Sequence, residues 1–155
     1  MKKTTVFLFA VMLCVCFLIS AERAAFAYEV TEKHPIDIEM ERMIDEDPST
    51  AGMYDAQAYG IEAWDKLLNE NYQALMKKLT KEEQDKLRAA QREWIKYRDL
   101  EFAFNATFWG NFEGTMYRVF PGGYQYEFVK ARALRLGYYL DDLDMREHGM
   151  EEFLP

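Results

Sequence analysis

With 155 residues and a formal net charge of −8, the chain has the size of one domain, and its acidity argues against nucleic acid and anionic membrane surfaces as partners. Its two cysteines, Cys14 and Cys16, both fall within the first 27 residues. The remainder can hold no disulfide, thiol nucleophile or thiolate metal site, so its stability must come from packing.

Lys2 and Lys3 precede an apolar run from Val6 to Ile19, followed by Ala25-Phe26-Ala27. A basic start, a short apolar segment and small residues two apart describe a secretory signal peptide over residues 1–27, cut after Ala27. The run is short for a membrane span and has no successor, so no stable membrane insertion is expected after cleavage. Leu13-Cys14-Val15-Cys16 superficially resembles a lipid-attachment box, but Val15 is bulkier than the small residue such a box requires. Cleavage removes three of the 19 basic and one of the 27 acidic residues, taking the mature charge to −10. The expected destination is the periplasm or the exterior.

Residues 28–48 form an acidic arm. Ile36, Met40, Met43 and Ile44 fall at i, i+4, i+7 and i+8 after Pro35, the pattern of a short helix resting loosely on the domain. His34 and His148 lack neighbours at metal-ligand spacing, so no metal is expected. The domain proper spans 49–146, and an acidic tail covers 147–155.

The first long helix is expected from near Ser49 to about Leu79, with Ile61, Trp64, Leu68, Tyr72, Leu75 and Leu79 on one face. Thr80-Lys81-Glu82-Glu83 is a capping box that starts the second helix. With almost no loop between them, the two should form an antiparallel hairpin. The second helix continues to about Trp109, with Gln84, Leu87, Gln91, Trp94, Arg98 and Phe102 turned inward. Residues 110–123 hold glycines and Pro121 and form a loop rich in aromatics. A third helix follows from about Tyr124 to Met145, lined by Val129, Arg132, Leu136, Tyr139 or Leu140, and Leu143, with Gly137 suited to a close approach. The class is all-α: a helical hairpin plus a third packed helix in a small bundle.

Polar residues occupy the inward stripe. Counted from the turn, Asp65 comes level with Arg98, Asn69 with Glu93 and Trp94, and Tyr72 with Ala90 and Gln91. The cluster could be a network that fixes helix register around Trp94, or a ligand site lined by Asp65, Asn69, Gln91 and Arg98. Buried charges are normally paired, which favours the first reading. On that reading Arg98→Ala removes about 3–5 kcal/mol.

The same residues carry a resemblance. Asp65-x-x-Leu68-Asn69-x-x-Tyr72-x-x-Leu75, with Gln91-Arg92-x-Trp94-Ile95-x-Tyr97-Arg98-Asp99, resembles the N-terminal domain of the lysozyme inhibitor LprI family, and Arg132 with Leu136 is similar to its third-helix signature. The resemblance spans about Met53 to Leu143. It implies envelope defence by binding a lysozyme, with Asp65, Asn69, Tyr72, Gln91, Trp94, Arg98, Asp99 and Arg132 as signature residues of structural role. Family members commonly carry cysteines where this chain has Ala56 and Phe102. Joint loss of the pair implies a disulfide replaced by an apolar contact between helices.

No catalytic constellation is present: there is no Gly-x-Ser-x-Gly, nucleotide-binding glycine loop or His-Glu-x-x-His. Carboxylate pairs on helices this acidic are solvated faces, and Asn105-Ala106-Thr107 lies in helix, against a glycosylation role. Neither an enzyme nor a cofactor is expected. What remains is recognition, either of a cationic lysozyme or, as a non-inhibitory envelope scaffold, of another protein or the cell wall. Trp109, Phe112, Tyr117 and Phe120 are the partner-binding candidates, since aromatic anchors are enriched in binding hot spots. The competing role for these rings is to cover the end of the helical core.

Overall fold

The computed structural model describes residues 33–148, and from Pro35 onward these belong to one compact unit. The expected signal peptide, both cysteines and the tail beyond His148 lie outside the described residues. The elements within them are all helical: α1 (Pro35–Glu46), α2 (Thr50–Lys78), α3 (Lys81–Gly110), a 3-10 turn η1 (Met116–Arg118) and α4 (Phe120–His148). No described helix is long and apolar enough to cross a membrane.

The core lies mainly between α2 and α4, which pack along one another. From α2 it takes Ala56, Trp64, Leu68 and Leu75, all but removed from solvent. Tyr126, Val129, Ala133, Leu136 and Leu143 answer from α4. Burying a side chain such as Leu68 or Leu136 contributes roughly 1.5–3 kcal/mol. Of the alternatives on α4, Leu140 packs against the core and Tyr139 faces solvent. Asn71 Nδ2 donates to the Ala133 carbonyl at 3.0 Å, beside Gly137, where the two helices come close.

Both caps lie where the sequence puts them. The Ser49 hydroxyl accepts from the Gly52 amide at 3.1 Å, and Thr80 with Glu83 closes a reciprocal capping box. Backbone and side-chain hydrogen bonds from Thr80, joined by Arg146, hold the Glu83 carboxyl below its ordinary value. Gln84 Nε2 donates to the Met76 and Leu79 carbonyls at 2.9 and 3.0 Å, satisfying the open C-terminus of α2. The last turn of α4 is tied to the same junction, because Arg146 reaches Glu83 at 3.1 Å and Lys78 pairs with Asp144.

The register argument across the turn fails. Past the Leu79–Thr80 connection, α2 and α3 do not pack along their lengths; each instead meets α4. Asp65 and Arg98 are therefore not partners. Asn69 Nδ2 donates to the Asp65 carboxylate at 3.0 Å one turn away, while Arg98 donates to the exposed neighbouring Asp99 at 2.8 and 2.9 Å.

α4 also starts earlier than expected and runs three residues beyond Met145, to His148. Phe120 and Pro121 open its first turn, where the missing proline amide costs nothing because that amide has no intrahelical acceptor. Gly122 belongs to the same turn for a steric reason. A Cβ there would lie 2.1 Å from Gln57 Oε1 of α2, and Gln57 Nε2 donates to the Val119 carbonyl at 3.1 Å.

α1 is not a loose arm. Ile36 and Met40 pack on the core, and Asp37 enters it. One Asp37 oxygen accepts from the Trp64 indole at 3.1 Å and from the Tyr126 hydroxyl; the other accepts from Lys130 at 2.6 Å.

Candidate functional site

Three polar or aromatic clusters organise the unit. The first joins α3 to α4. Gln91, buried on α3, accepts through Oε1 from Arg132 Nε and Nη2 at 3.0 and 2.9 Å. Burial holds the Arg132 guanidinium below its ordinary pKa. Trp94 stacks on Phe128 at 5.7 Å, and the Arg98 and Arg132 guanidinium carbons lie 5.6 and 5.8 Å from its ring centre. Such cation–π contacts hold cationic side chains on an aromatic face. Phe102 meets Phe128 edge-on at 5.8 Å, an apolar link between helices. Ala56 is fully buried in α2.

Of the signature residues, Gln91, Trp94, Arg98 and Arg132 thus gather at the α3–α4 seam. Tyr72 packs on the core from α2, Asp99 is exposed, and Asp65 with Asn69 forms a separate local pair. The ligand site drawn through Asp65, Asn69, Gln91 and Arg98 is not assembled.

The second cluster is the clasp at Asp37. Burial pushes its carboxyl upward, but hydrogen bonds from Lys130, Tyr126 and Trp64, with the Lys130 charge, outweigh this and hold it below the ordinary value. The Tyr126 hydroxyl is driven up, first by burial and then by its bond to Asp37. Lys130 also lies 5.7 and 5.6 Å from the Trp64 and Tyr126 ring centres. The clasp is satisfied from every side, as a structural joint requires.

The third cluster is the aromatic end, where α3 stops and α4 begins. Trp109 is its hub: Phe120 lies 4.8 Å away edge-on, Phe108 and Phe112 at 5.1 Å, Tyr124 at 5.8 Å and Tyr117 stacked at 6.3 Å. Phe112 also meets Tyr117 at 5.1 Å, and Phe104 extends the row through Phe108 at 5.7 Å. The four rings proposed from the sequence therefore come together. They form one surface with Phe104, Phe108 and Tyr124, which sequence reasoning missed because helical residues were judged only as inward or outward.

Part of this surface is open to solvent. Phe104, Phe108, Phe112 and Tyr124 remain 58, 44, 43 and 54 % exposed, and Met116 beside them 68 %. Contiguous exposed apolar patches larger than scattered single residues are, in proteins generally, enriched at interaction sites. A cavity of about 340 Å³ opens alongside it, lined by Met40, Gln57, Phe120, Tyr124, Tyr126 and Glu127. A similar apolar cavity, about 360 Å³, lies at the α2–α3 junction around Leu75, Leu79, Leu87 and Leu143. Leu87 and Trp109 are separated by roughly 33 Å of helix, so that cavity is no part of the aromatic end.

The sequence profile described as Lysozyme inhibitor LprI matches residues 44–136, more than half of the chain. The chain belongs to the lysozyme inhibitor LprI family. The match takes in α2, α3, η1 and the first half of α4, and so the seam and the whole aromatic end. No curated protein matches the chain. Among solved structures, an uncharacterized protein from Burkholderia thailandensis is similar, with a TM-score of 0.68 and 24 % identity, over 72 % of this chain and 56 % of that one. The likeness is one of fold, and the chain spans little more than half of that protein's length.

Proposed function

We propose that this protein is exported and binds and inhibits a cationic lysozyme, with the aromatic end as its contact surface. Family membership supplies the partner class. The observation that carries the choice of surface is the exposure of a continuous ring cluster around Trp109, since rigid aromatic side chains provide large contact area at low entropic cost. The acidity of the chain suits a cationic partner by speeding encounter.

The test is lysis of bacterial cell walls by lysozymes of different types in the presence of excess mature protein, with binding measured by calorimetry. Inhibition is expected for at least one type. Phe112→Ala should weaken that binding about tenfold or more with little change in melting temperature, because its ring is half-exposed. Tyr138→Ala, an exposed ring on α4 outside the cluster, should bind as wild type. Absence of inhibition of every lysozyme at excess protein would overturn the reading, and retention on purified cell wall would then favour the scaffold role.

A further inference from the structure

From Asp99 to Val129 the chain has a single cation, Arg118. It lies in η1, inside the aromatic end, directly after Tyr117 and two residues before Phe120. Its side chain is exposed, and no carboxylate among the described residues engages it. The arginines of the neighbouring seam differ in this respect: Arg98 is held by Asp99 and Arg132 by Gln91. Arg118 is thus an exposed cation without a carboxylate partner among the described residues, in the turn whose Tyr117 belongs to the ring cluster. Arginine and aromatic residues are the side chains that dominate binding hot spots.

Enzymes that cleave glycosidic bonds carry two carboxyl groups flanking the scissile bond, in a cleft shaped for sugar rings. An acidic surface would be repelled by those carboxylates at close range, whatever its long-range attraction to a cationic enzyme. A guanidinium reverses the local sign and can bind a carboxylate through two parallel hydrogen bonds, which a lysine cannot reproduce. Resting on the lysozyme-binding reading, we infer that Arg118 is the cleft-directed, specificity-determining residue. It pairs with the general-acid carboxylate of the lysozyme while Tyr117 and Phe120 fill the adjoining sugar-binding positions.

Two substitutions, one on each side of the contact, test this. Wild type, Arg118→Ala and Arg118→Lys are titrated against a lysozyme that wild type inhibits, and against the same enzyme with its general-acid glutamate changed to glutamine. The Ala variant should bind the unaltered enzyme about 10- to 100-fold more weakly, and the Lys variant should recover only part of the loss. The amide enzyme should bind wild type correspondingly more weakly but the Ala variant no more weakly still, since the removed interaction is shared. Wild-type affinity should also fall as pH drops through the general acid's pKa, about 6 in lysozyme, while the Ala variant stays flat. Affinity of the Ala variant within about twofold of wild type, or additive losses across the two changes, overturns the assignment to Arg118 and leaves lysozyme binding intact. Failure of wild type to bind any lysozyme instead overturns the underlying reading, and the two failures are told apart by the wild-type titration alone.

Discussion

Asp37 shows how far a residue's weight can lie from its local sequence. Its partners Trp64, Tyr126 and Lys130 sit on two other helices, 27 to 93 positions away, and nothing in the acidic run around it sets it apart. Arg98, conspicuous in the sequence, engages an exposed neighbour and one face of Trp94. Asp37→Ala should therefore cost about 3 kcal/mol, leaving buried donors unpaired, whereas Arg98→Ala should cost about 1 kcal/mol or less in chemical denaturation. The Asp37 carboxyl is held below its ordinary pKa. Its stabilisation is then complete above the ordinary carboxylate range and is lost as pH falls through the depressed folded value. Melting curves of wild type and Asp37→Asn should converge on acidification.

At the scale of elements, Gly60 marks where α1, α2 and α4 meet. A Cβ at that position would lie 2.7 Å from the Tyr126 ring and 2.8 Å from Met40 Sδ. The Met40 end can move; the Tyr126 ring is fixed by Asp37. Gly60→Ala, a gain of about 1 kcal/mol in an isolated helix, should here destabilise by about 1–3 kcal/mol in urea unfolding. The sequence made helix starts legible because Ser49 and Thr80 cap by local chemistry. It hid the start of α4, because Pro121-Gly122-Gly123 has the composition of a loop, while in the fold it is the first turn of a helix laid against Gln57. It also hid which helices pack together. A short connection limits where two helices can go, but the apolar faces of α2 and α4 decide the pairing, and their match is a tertiary fact.

For the whole molecule, the proposed function assigns acidity and the aromatic end different parts in recognition. The charge acts over a distance set by salt, and the rings act on contact. Raising ionic strength should slow association with a cationic lysozyme several-fold while leaving dissociation nearly unchanged, measurable by surface plasmon resonance. Equal losses in both rates would remove charge steering from the account. The ring surface was half legible. Trp109, Phe112, Tyr117 and Phe120 stand out as aromatics in a supposed loop. Phe104, Phe108 and Tyr124 join them only because α3 ends and α4 begins at the same place.

The chain's three tryptophans fall one to each cluster: Trp64 at the clasp, Trp94 at the seam and Trp109 at the aromatic end. The molecule therefore carries its own fluorescent labels. Proteins retaining one indole each would report separately on release of α1, on opening between α3 and α4, and on arrival of a partner, with no dye attached.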